Sequence, residues 1–200
     1  GCGFAEVSFY LLSIFFGYAM PMTAIQLLWL NMITDGLQDV ALSFEVAEKN
    51  IMKQKPRRTD ESLFSKDLAI EVLIIGLTIT IVVFSMWKWL MDNNFDIVVS
   101  RSVIMMLMVF IQNINVLNCR SEKRSVLTEP IKNNILVPLV IIGSIGLQII
   151  LAEVPITAKF LGVTPLNWKT VVGLLVLSFV IIGVFEFYKL IYKKVYSSKK

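Results

Sequence analysis

Hydrophobic residues form six long segments along the chain, and shorter polar segments separate them. Most of the six approach the roughly 20 residues with which an α-helix crosses the hydrocarbon core of a membrane. The predicted spans cover residues 4–20, 24–44, 67–90, 103–118, 135–153 and 170–192. We therefore predict an all-α fold, a polytopic membrane bundle of six transmembrane helices that forms one domain over residues 1–200.

The first two segments could form one long helix or a hairpin. One helix over residues 4–44 would be about 60 Å long, roughly twice the thickness of the hydrocarbon core. Gly17 and Pro21 lie between the two segments, where a turn is needed. The sequence therefore favours a tight hairpin.

Composition agrees with a membrane location. Hydrophobic residues make up 56% of the chain and charged residues 17%, and the mean hydropathy is +0.72. A soluble domain usually contains fewer hydrophobic and more charged residues. Membrane lipid is therefore the expected surrounding of the chain.

The basic residues predict the orientation in the membrane. Most of the 19 lysines and arginines lie in the segment 45–66, between spans four and five, or after span six. The exceptions near the other ends of the spans are Lys88, Arg101, Lys159 and Lys169. The positive-inside rule then places both termini and a loop over residues 45–66 in the cytoplasm. Topology explains the net charge of +4, so we expect no nucleic-acid partner.

The chain contains two cysteines and no histidine. Cys2 and Cys119 both lie at predicted cytoplasmic span ends, where thiols stay reduced, and we interpret them as packing residues. Without histidine or a C-x-x-C motif, a transition-metal site built from thiolate or imidazole ligands is not expected.

The second span carries oxygen donors in its middle. An α-helix would place Asn31, Thr34 and Asp35 at i, i+3 and i+4, on one face. A carboxylate at the centre of a span costs about 2.5–3.5 kcal/mol on insertion scales, so it usually faces a protein interior, a partner or a bound ion. The alternative is a helix that packs through small polar residues.

A second carboxylate, Glu6, lies in the first span. It can sit at the cytoplasmic interface, or it can face Asp35 across the hairpin. In the latter case Glu6 and the three donors of the second span would supply about six side-chain oxygen atoms, and calcium takes about 6–8 oxygen ligands. Such ligands favour calcium, magnesium, manganese, an alkali ion or protons. The count fits one ion site better than two.

Residues 21–45 resemble the sixth transmembrane helix of the calcium-pump-like P-type cation-transporting ATPases. The family pattern there is approximately P-x-x-x-x-Q-x-L-W-x-N-x-x-T-D-G, and the chain satisfies it from Pro21 to Gly36. The resemblance extends to the basic segment 55–58, to the segment 118–122, and to Gln148, Trp168 and Glu186. The chain thus resembles the C-terminal transmembrane domain of these pumps, and its six spans would be the family's fifth to tenth helices.

The resemblance also implies roles for single residues. The ion ligands of the family's sixth helix are matched by Asn31, Thr34 and Asp35. The acidic ligand of its fifth helix is matched by Glu6. The fourth span offers Gln112, where some members have a glutamate ligand and plasma-membrane-type calcium pumps have glutamine.

Three further positions qualify this picture. Asn115, one turn after Gln112, is a weaker candidate ligand. Gly3 stands where the family often has an asparagine ligand. Gly3 supplies no side chain and Gln112 no charge. These two departures put the first of the family's two calcium sites in question, while the second keeps Asn31 and Asp35. The family resemblance leaves two interpretations of Asp39, an acid on the cytoplasmic route to the site or an interface residue.

The resemblance implies that the chain is the cation-binding transmembrane half of an ATP-driven pump. Calcium is the leading transported ion, and manganese, sodium or protons are alternatives. The sequence contains no D-K-T-G-T phosphorylation motif and no nucleotide-binding loop, so we do not expect it to hydrolyse ATP alone. ATP and magnesium would act through the remaining domains of a parent ATPase, the expected partner, because a chain that begins with Gly1 is predicted to start inside a larger protein.

Two other functions stay open at this point. A free-standing six-span channel, carrier or regulatory membrane protein would have the same hydrophobic pattern, and so would a scaffold that binds no ion. The segment 36–42 resembles bacterial members of the family. A bacterial plasma membrane is therefore the expected location.

Overall fold

The structure, a computed structural model, describes residues 1–45, 66–120 and 134–197, with side chains for 1–45, 68–120 and 134–191. These ranges contain helices and no strand, which confirms the predicted all-α class. The predicted loop 45–66 lies outside the described residues, apart from its two ends. The helices are α1 (Cys2–Phe15), α2 (Ala24–Leu30), a π-helical turn (Asn31–Gly36), α3 (Leu37–Ser43), α4 (Lys66–Asp92), α5 (Ile97–Cys119), α6 (Leu136–Glu153), α7 (Pro155–Leu161), α8 (Trp168–Ser178) and α9 (Val180–Ser197).

Four helical segments of the described chain are long and apolar enough to cross a membrane. They are Leu68–Asp92, Ile97–Cys119, Leu136–Glu153 and Trp168–Ile191. The first helix, α1, is apolar but has only 14 residues. A π-helical turn interrupts the predicted second span, although α2, the turn and α3 follow one another without a break. The predicted count of six membrane-spanning helices is therefore not confirmed.

The predicted hairpin between the first two segments is confirmed. Gly17 has a φ of 71°, and the backbone amides of Gly17 and Tyr18 bond to the carbonyls of Ile14 and Ser13. This pattern is the Schellman motif, which ends a helix at a residue in the left-handed conformation. Because of it, α1 ends at Phe15 rather than near residue 20, where the hydrophobic pattern alone placed the end.

Two other helix boundaries differ from the predicted spans. The fifth helix, α5, begins at Ile97 rather than near residue 103, because the side chain of Asp96 caps the amides of Val98 and Val99. The unpredicted short helix α7 begins at Pro155 and ends at Leu161, and the next residue, Gly162, has a φ of 63°. Proline at a helix start and a left-handed glycine at its end are the usual signals for such a helix.

The central helix of the bundle is α5. It contacts α2, the π-helical turn, α3, α4, α6, α8 and α9. All residues from 102 to 116 are buried. Polar side chains in this part of α5 therefore contact other helices rather than solvent or lipid, and they organise the candidate site.

The helices α1 and α4 run side by side in the same direction. Gly76 lies against Phe4, and a Cβ atom at Gly76 would also approach the carbonyl oxygen of Gly1 to 3.2 Å. Further along, the hydroxyl of Thr80 donates to the carbonyl of Ala5 at 3.4 Å. This packing holds the first turns of α1, including Glu6, against the rest of the bundle.

Candidate cation-binding site

Four polar side chains meet between α1, the π-helical turn and α5. We call Glu6, Asn31, Thr34 and Gln112 the cation cluster. Glu6 lies on α1, Asn31 and Thr34 lie in the π-helical turn, and Gln112 lies on α5. The fold thus brings together four of the six residues that the sequence nominated, and their role as cation ligands stays a prediction.

Hydrogen bonds join the cation cluster around Glu6. Nδ2 of Asn31 donates to Oε2 of Glu6 at 3.3 Å, and Nε2 of Gln112 donates to Oε1 of Glu6 at 2.9 Å. The hydroxyl of Thr34 contacts Oε1 of Gln112 and lies 2.5 Å from the carbonyl oxygen of Leu30. A hydroxyl has one hydrogen, so these two acceptors compete for it.

The cation cluster is shielded from solvent. Glu6 is 6% exposed, and Thr34 and Gln112 are fully buried. No lysine or arginine of the described residues forms an ion pair with Glu6. A buried carboxylate is strongly disfavoured unless hydrogen bonds and an opposite charge compensate it. Glu6 has the hydrogen bonds but lacks the charge, which is the situation that a bound cation would correct.

The remaining two nominated residues lie beside the cation cluster. Asp35 is half-buried, forms no hydrogen bond within the described chain, and is close enough to Glu6 for their charges to interact. Asn115 is buried, and its Nδ2 lies 3.7 and 3.9 Å from the sulfur atoms of Cys2 and Cys119. Asn115 therefore faces the ends of α1 and α5 and does not contact the cluster.

The π-helical turn lies at the candidate site itself. The sequence predicted a regular α-helix through Asn31, Thr34 and Asp35, whereas the structure has a π-helix from Asn31 to Gly36. Nδ2 of Asn31 donates to the carbonyl of Leu27 at 3.1 Å, so its side chain bonds to the preceding turn. Single π-helical turns are rare and occur frequently at functional sites.

A second polar cluster lies on a neighbouring face of α5, and the sequence did not predict it. We call Gln38, Asn113 and Ser144 the amide cluster. Nε2 of Gln38 donates to Oδ1 of Asn113 at 3.0 Å, and the hydroxyl of Ser144 donates to the same oxygen at 2.8 Å. Nδ2 of Asn113 donates to the carbonyl of Val109 at 2.8 Å. The available signal was the amide next to Gln112, in an otherwise apolar stretch of α5.

The donors of the candidate site favour a hard cation. Within the described residues no three histidine, cysteine, aspartate or glutamate side chains come together. The nearby donors are instead two carboxylates, two amide oxygens and a hydroxyl. Oxygen donors of this kind suit calcium, magnesium, manganese or alkali ions.

A groove of about 530 Å³ opens beside Glu6. Residues of α1, α2 and the turn between them form most of its wall, and most of them are apolar. Glu6 is the carboxylate of the lining and Arg101 its basic residue. Both Nε and Nη2 of Arg101 donate to the carbonyl of Met20, at 3.2 and 3.0 Å. Glu6 thus lines this groove although it is largely buried.

A model of one protein family matches the chain over residues 19–191. That family is described as "Cation transporting ATPase, C-terminus". The matched range contains the π-helical turn and Gln112, and the helix with Glu6 precedes it.

Individual relatives are similar over most of the chain. A calcium-transporting ATPase of Bacillus subtilis is 27% identical over 172 residues, which cover 84% of this chain and 19% of the relative. The endoplasmic reticulum calcium ATPase srcA of Aspergillus fumigatus is 27% identical over 212 residues, with 90% and 22% covered. Calcium-transporting ATPase 1 of Bacillus cereus is 29% identical over 204 residues, with 94% and 23% covered. The chain spans about a fifth of the length of these relatives.

Proposed function

The chain belongs to the family of cation-transporting ATPase C-terminal regions, and from this membership and the geometry of the cation cluster we propose that it is the cation-binding transmembrane half of an ATP-driven P-type pump. The observation that carries the proposal is the buried carboxylate of Glu6, which has amide donors from two other helices and no basic partner within the described residues. A cation is the species that supplies the missing charge.

We propose calcium as the transported ion. The relatives are named as calcium-transporting ATPases, and the donors are hard oxygen atoms of the kind that calcium prefers. Two carboxylates, Glu6 and Asp35, balance the charge of one divalent ion. Manganese, sodium and protons are the competing cargoes, and a cation screen separates them.

Cation binding requires the cluster to rearrange. In the structure the amide nitrogens of Asn31 and Gln112 point at Glu6, whereas a cation would bind their oxygen atoms. Rotation of the two amide groups would exchange nitrogen for oxygen on the side that faces Glu6. The ligand set is then Glu6, Asn31, Thr34 and Gln112, with Asp35 joining from the π-helical turn. Asn115 lies outside this set and is the weakest candidate.

The membrane topology is part of the proposal. Six spans would result if α1 and the helix formed by α2, the π-helical turn and α3 also cross the membrane, with both termini in the cytoplasm. The expected membrane is the plasma membrane of a bacterium. ATP and magnesium would bind to other domains of the parent pump, and further cation ligands would reach Glu6 through the groove between α1 and α2.

The proposal is tested by cation-dependent phosphorylation of the full-length parent from ATP. The cations are calcium, manganese, magnesium and sodium, and the variant is Asp35→Asn. We expect phosphorylation to depend on calcium and the variant to lose that dependence. The matched control is Asp92→Asn, which removes the same charge at a half-exposed position paired with Lys88 and should leave the calcium dependence in place.

Two results would contradict the proposal. If no cation stimulates phosphorylation in an Asp35-dependent way, the polar residues of the π-helical turn serve packing. If the chain occurs without an ATP-hydrolysing parent and conducts ions by itself, it is a channel or carrier.

A further inference from the structure

Two polar contacts join α3 to α5 beyond the cation cluster. The first is the bond from Gln38 to Asn113 in the amide cluster. In the second, Arg120 donates from Nε to Oε2 of Glu45 at 3.1 Å and from Nη2 to Oε1 at 2.9 Å. In both segments the second contact follows the first by seven residues, and Glu45 and Arg120 lie just after Ser43 and Cys119, the last residues of α3 and α5.

The helix α6 and the residues just before it add hydrogen bonds at both of these contacts. Ser144 donates to Asn113 in the amide cluster. Nδ2 of Asn134, just before α6, donates to Oε2 of Glu45 at 3.1 Å and to the carbonyl of Ala41 at 2.8 Å. Polar contacts therefore join α3, α5 and α6 at two places, at the amide cluster and at the end of α3.

The contact between Glu45 and Arg120 is a largely buried ion pair. The side chain of Arg120 is 4% exposed and that of Glu45 is 17% exposed. Two parallel hydrogen bonds fix the guanidinium and the carboxylate in distance and in orientation. Buried ion pairs contribute little net stability, and their best-established role is to fix the register of packed helices.

We propose that Glu45 and Arg120 are positioning residues for the cation site, because their ion pair fixes the position of α3 along α5 and thereby holds Thr34 against Gln112. Thr34 lies eleven residues before Glu45, and Gln112 lies eight residues before Arg120. A slip of one residue at the ion pair would move Thr34 by about 1.5 Å, the rise per residue of a helix, and break its contact with Gln112.

The π-helical turn gains a specific role from this arrangement. The amide cluster and the ion pair hold α3 against α5 from Gln38 onwards. The π-helical turn from Asn31 to Gly36 lies just before that fixed part. Backbone movement on cation binding would therefore be confined to the turn and α2, while Gln112 on α5 rotates only its side-chain amide. This inference rests on the proposed function only in its claim about the cation.

Cross-linking measures the register directly in the full chain. Cysteines replace Ala41 and Val116, which are buried in one apolar cluster between the two contacts, and serine replaces Cys2 and Cys119. On oxidation we expect a cross-link between α3 and α5, reduced at least about fivefold by Glu45→Gln, because Arg120 then loses its bidentate carboxylate partner at the end of α3. The exchange of Glu45→Arg with Arg120→Glu should restore it. Asp92→Asn, which breaks the half-exposed pair with Lys88, is the control and should change nothing.

Cation affinity is then measured with the same variants of the full-length protein. Glu45→Gln should weaken the apparent affinity about tenfold, with the maximal phosphorylation unchanged, and the charge exchange should recover it. An unchanged cross-link in Glu45→Gln, or a lost cross-link with unchanged affinity, would overturn the positioning role. Failure of the proposed function has a different signature, because phosphorylation would then respond to no cation while the cross-link still responds to Glu45→Gln.

Discussion

Gln112 and Asn113 are neighbours on α5 and both are fully buried, yet they belong to clusters of different character. Gln112 contacts Glu6 and Thr34 in the cation cluster. Asn113 contacts Gln38 and Ser144 in the amide cluster. The amide cluster contains only neutral groups, whereas the cation cluster is built around a carboxylate. Burial and polarity alone therefore do not identify a binding site.

The two clusters differ in whether their polar and charged groups all have partners. In the amide cluster Oδ1 of Asn113 accepts two hydrogen bonds and Nδ2 donates one, so the group needs no ligand. In the cation cluster two hydrogen bonds reach Glu6, but no opposite charge does so within the described chain. A fully hydrogen-bonded neutral network stabilises the packing of the helices. A buried carboxylate without an opposite charge is instead stabilised when a cation binds.

The largest expected effect is on cation binding by Glu6→Gln. Removing the charge leaves the shape of the site intact, so the apparent cation affinity in phosphorylation of the full-length protein should fall about 100-fold. The same variant should unfold at a higher temperature without divalent cations, since a buried uncompensated charge is gone. An affinity within threefold of the parent's, as measured by cation titration, would contradict the assignment of Glu6.

The next effect concerns stability rather than binding. Asn113→Leu leaves Nε2 of Gln38 without its acceptor, whereas the hydroxyl of Ser144 can still donate to the carbonyl of Ile141, 3.1 Å away. An unsatisfied buried group costs about 1–3 kcal/mol. We expect denaturant unfolding of the chain in detergent to show a loss of this size, with cation affinity unchanged in the full-length protein. Replacing Gln38 and Ser144 with apolar residues as well should recover much of the loss.

A third test adds a charge to each cluster. Gln112→Glu places a second carboxylate next to Glu6, so it should destabilise the cation-free chain and tighten divalent binding about tenfold. Asn113→Asp adds the same charge on the neighbouring face of α5, where it should destabilise the chain without any gain in cation affinity. Calcium-dependent thermal unfolding of the two variants separates the cases, and equal calcium responses would erase the distinction between the clusters.

The candidate site could be predicted from the sequence to the extent that it is local. The spacing of Asn31, Thr34 and Asp35 depends on one helix, the hairpin of the first two segments suggested Glu6, and the resemblance to a family added Gln112. The π-helical turn was missed because the hydrophobic pattern of a helix does not reveal one extra residue in a turn. Asn115 was placed near the site by its spacing from Gln112, but it faces Cys2 and Cys119.

The amide cluster and the ion pair could not be predicted in the same way. Gln38 and Asn113, like Glu45 and Arg120, are 75 residues apart in the chain, and only the packing of α3 on α5 brings them together. The fold class and the hairpin followed from hydrophobic segments and from Gly17. The boundaries of α1 and α5 depended on a Schellman motif and on the cap of Asp96, which overrode the hydrophobic pattern.

The smallest expected effect comes from Ser144→Ala. The hydroxyl of Ser144 is one of two donors to Oδ1 of Asn113, and the bond from Gln38 remains after the change. No acceptor is left unsatisfied, so the loss of unfolding free energy should be about 0.5–1.5 kcal/mol, the net value of one hydrogen bond. Cation affinity in the full-length protein should stay the same. A shift in affinity larger than the shift in stability would mean that the amide cluster acts on the cation as well as on packing, because α5 would then transmit a change from the side of Asn113 to that of Gln112.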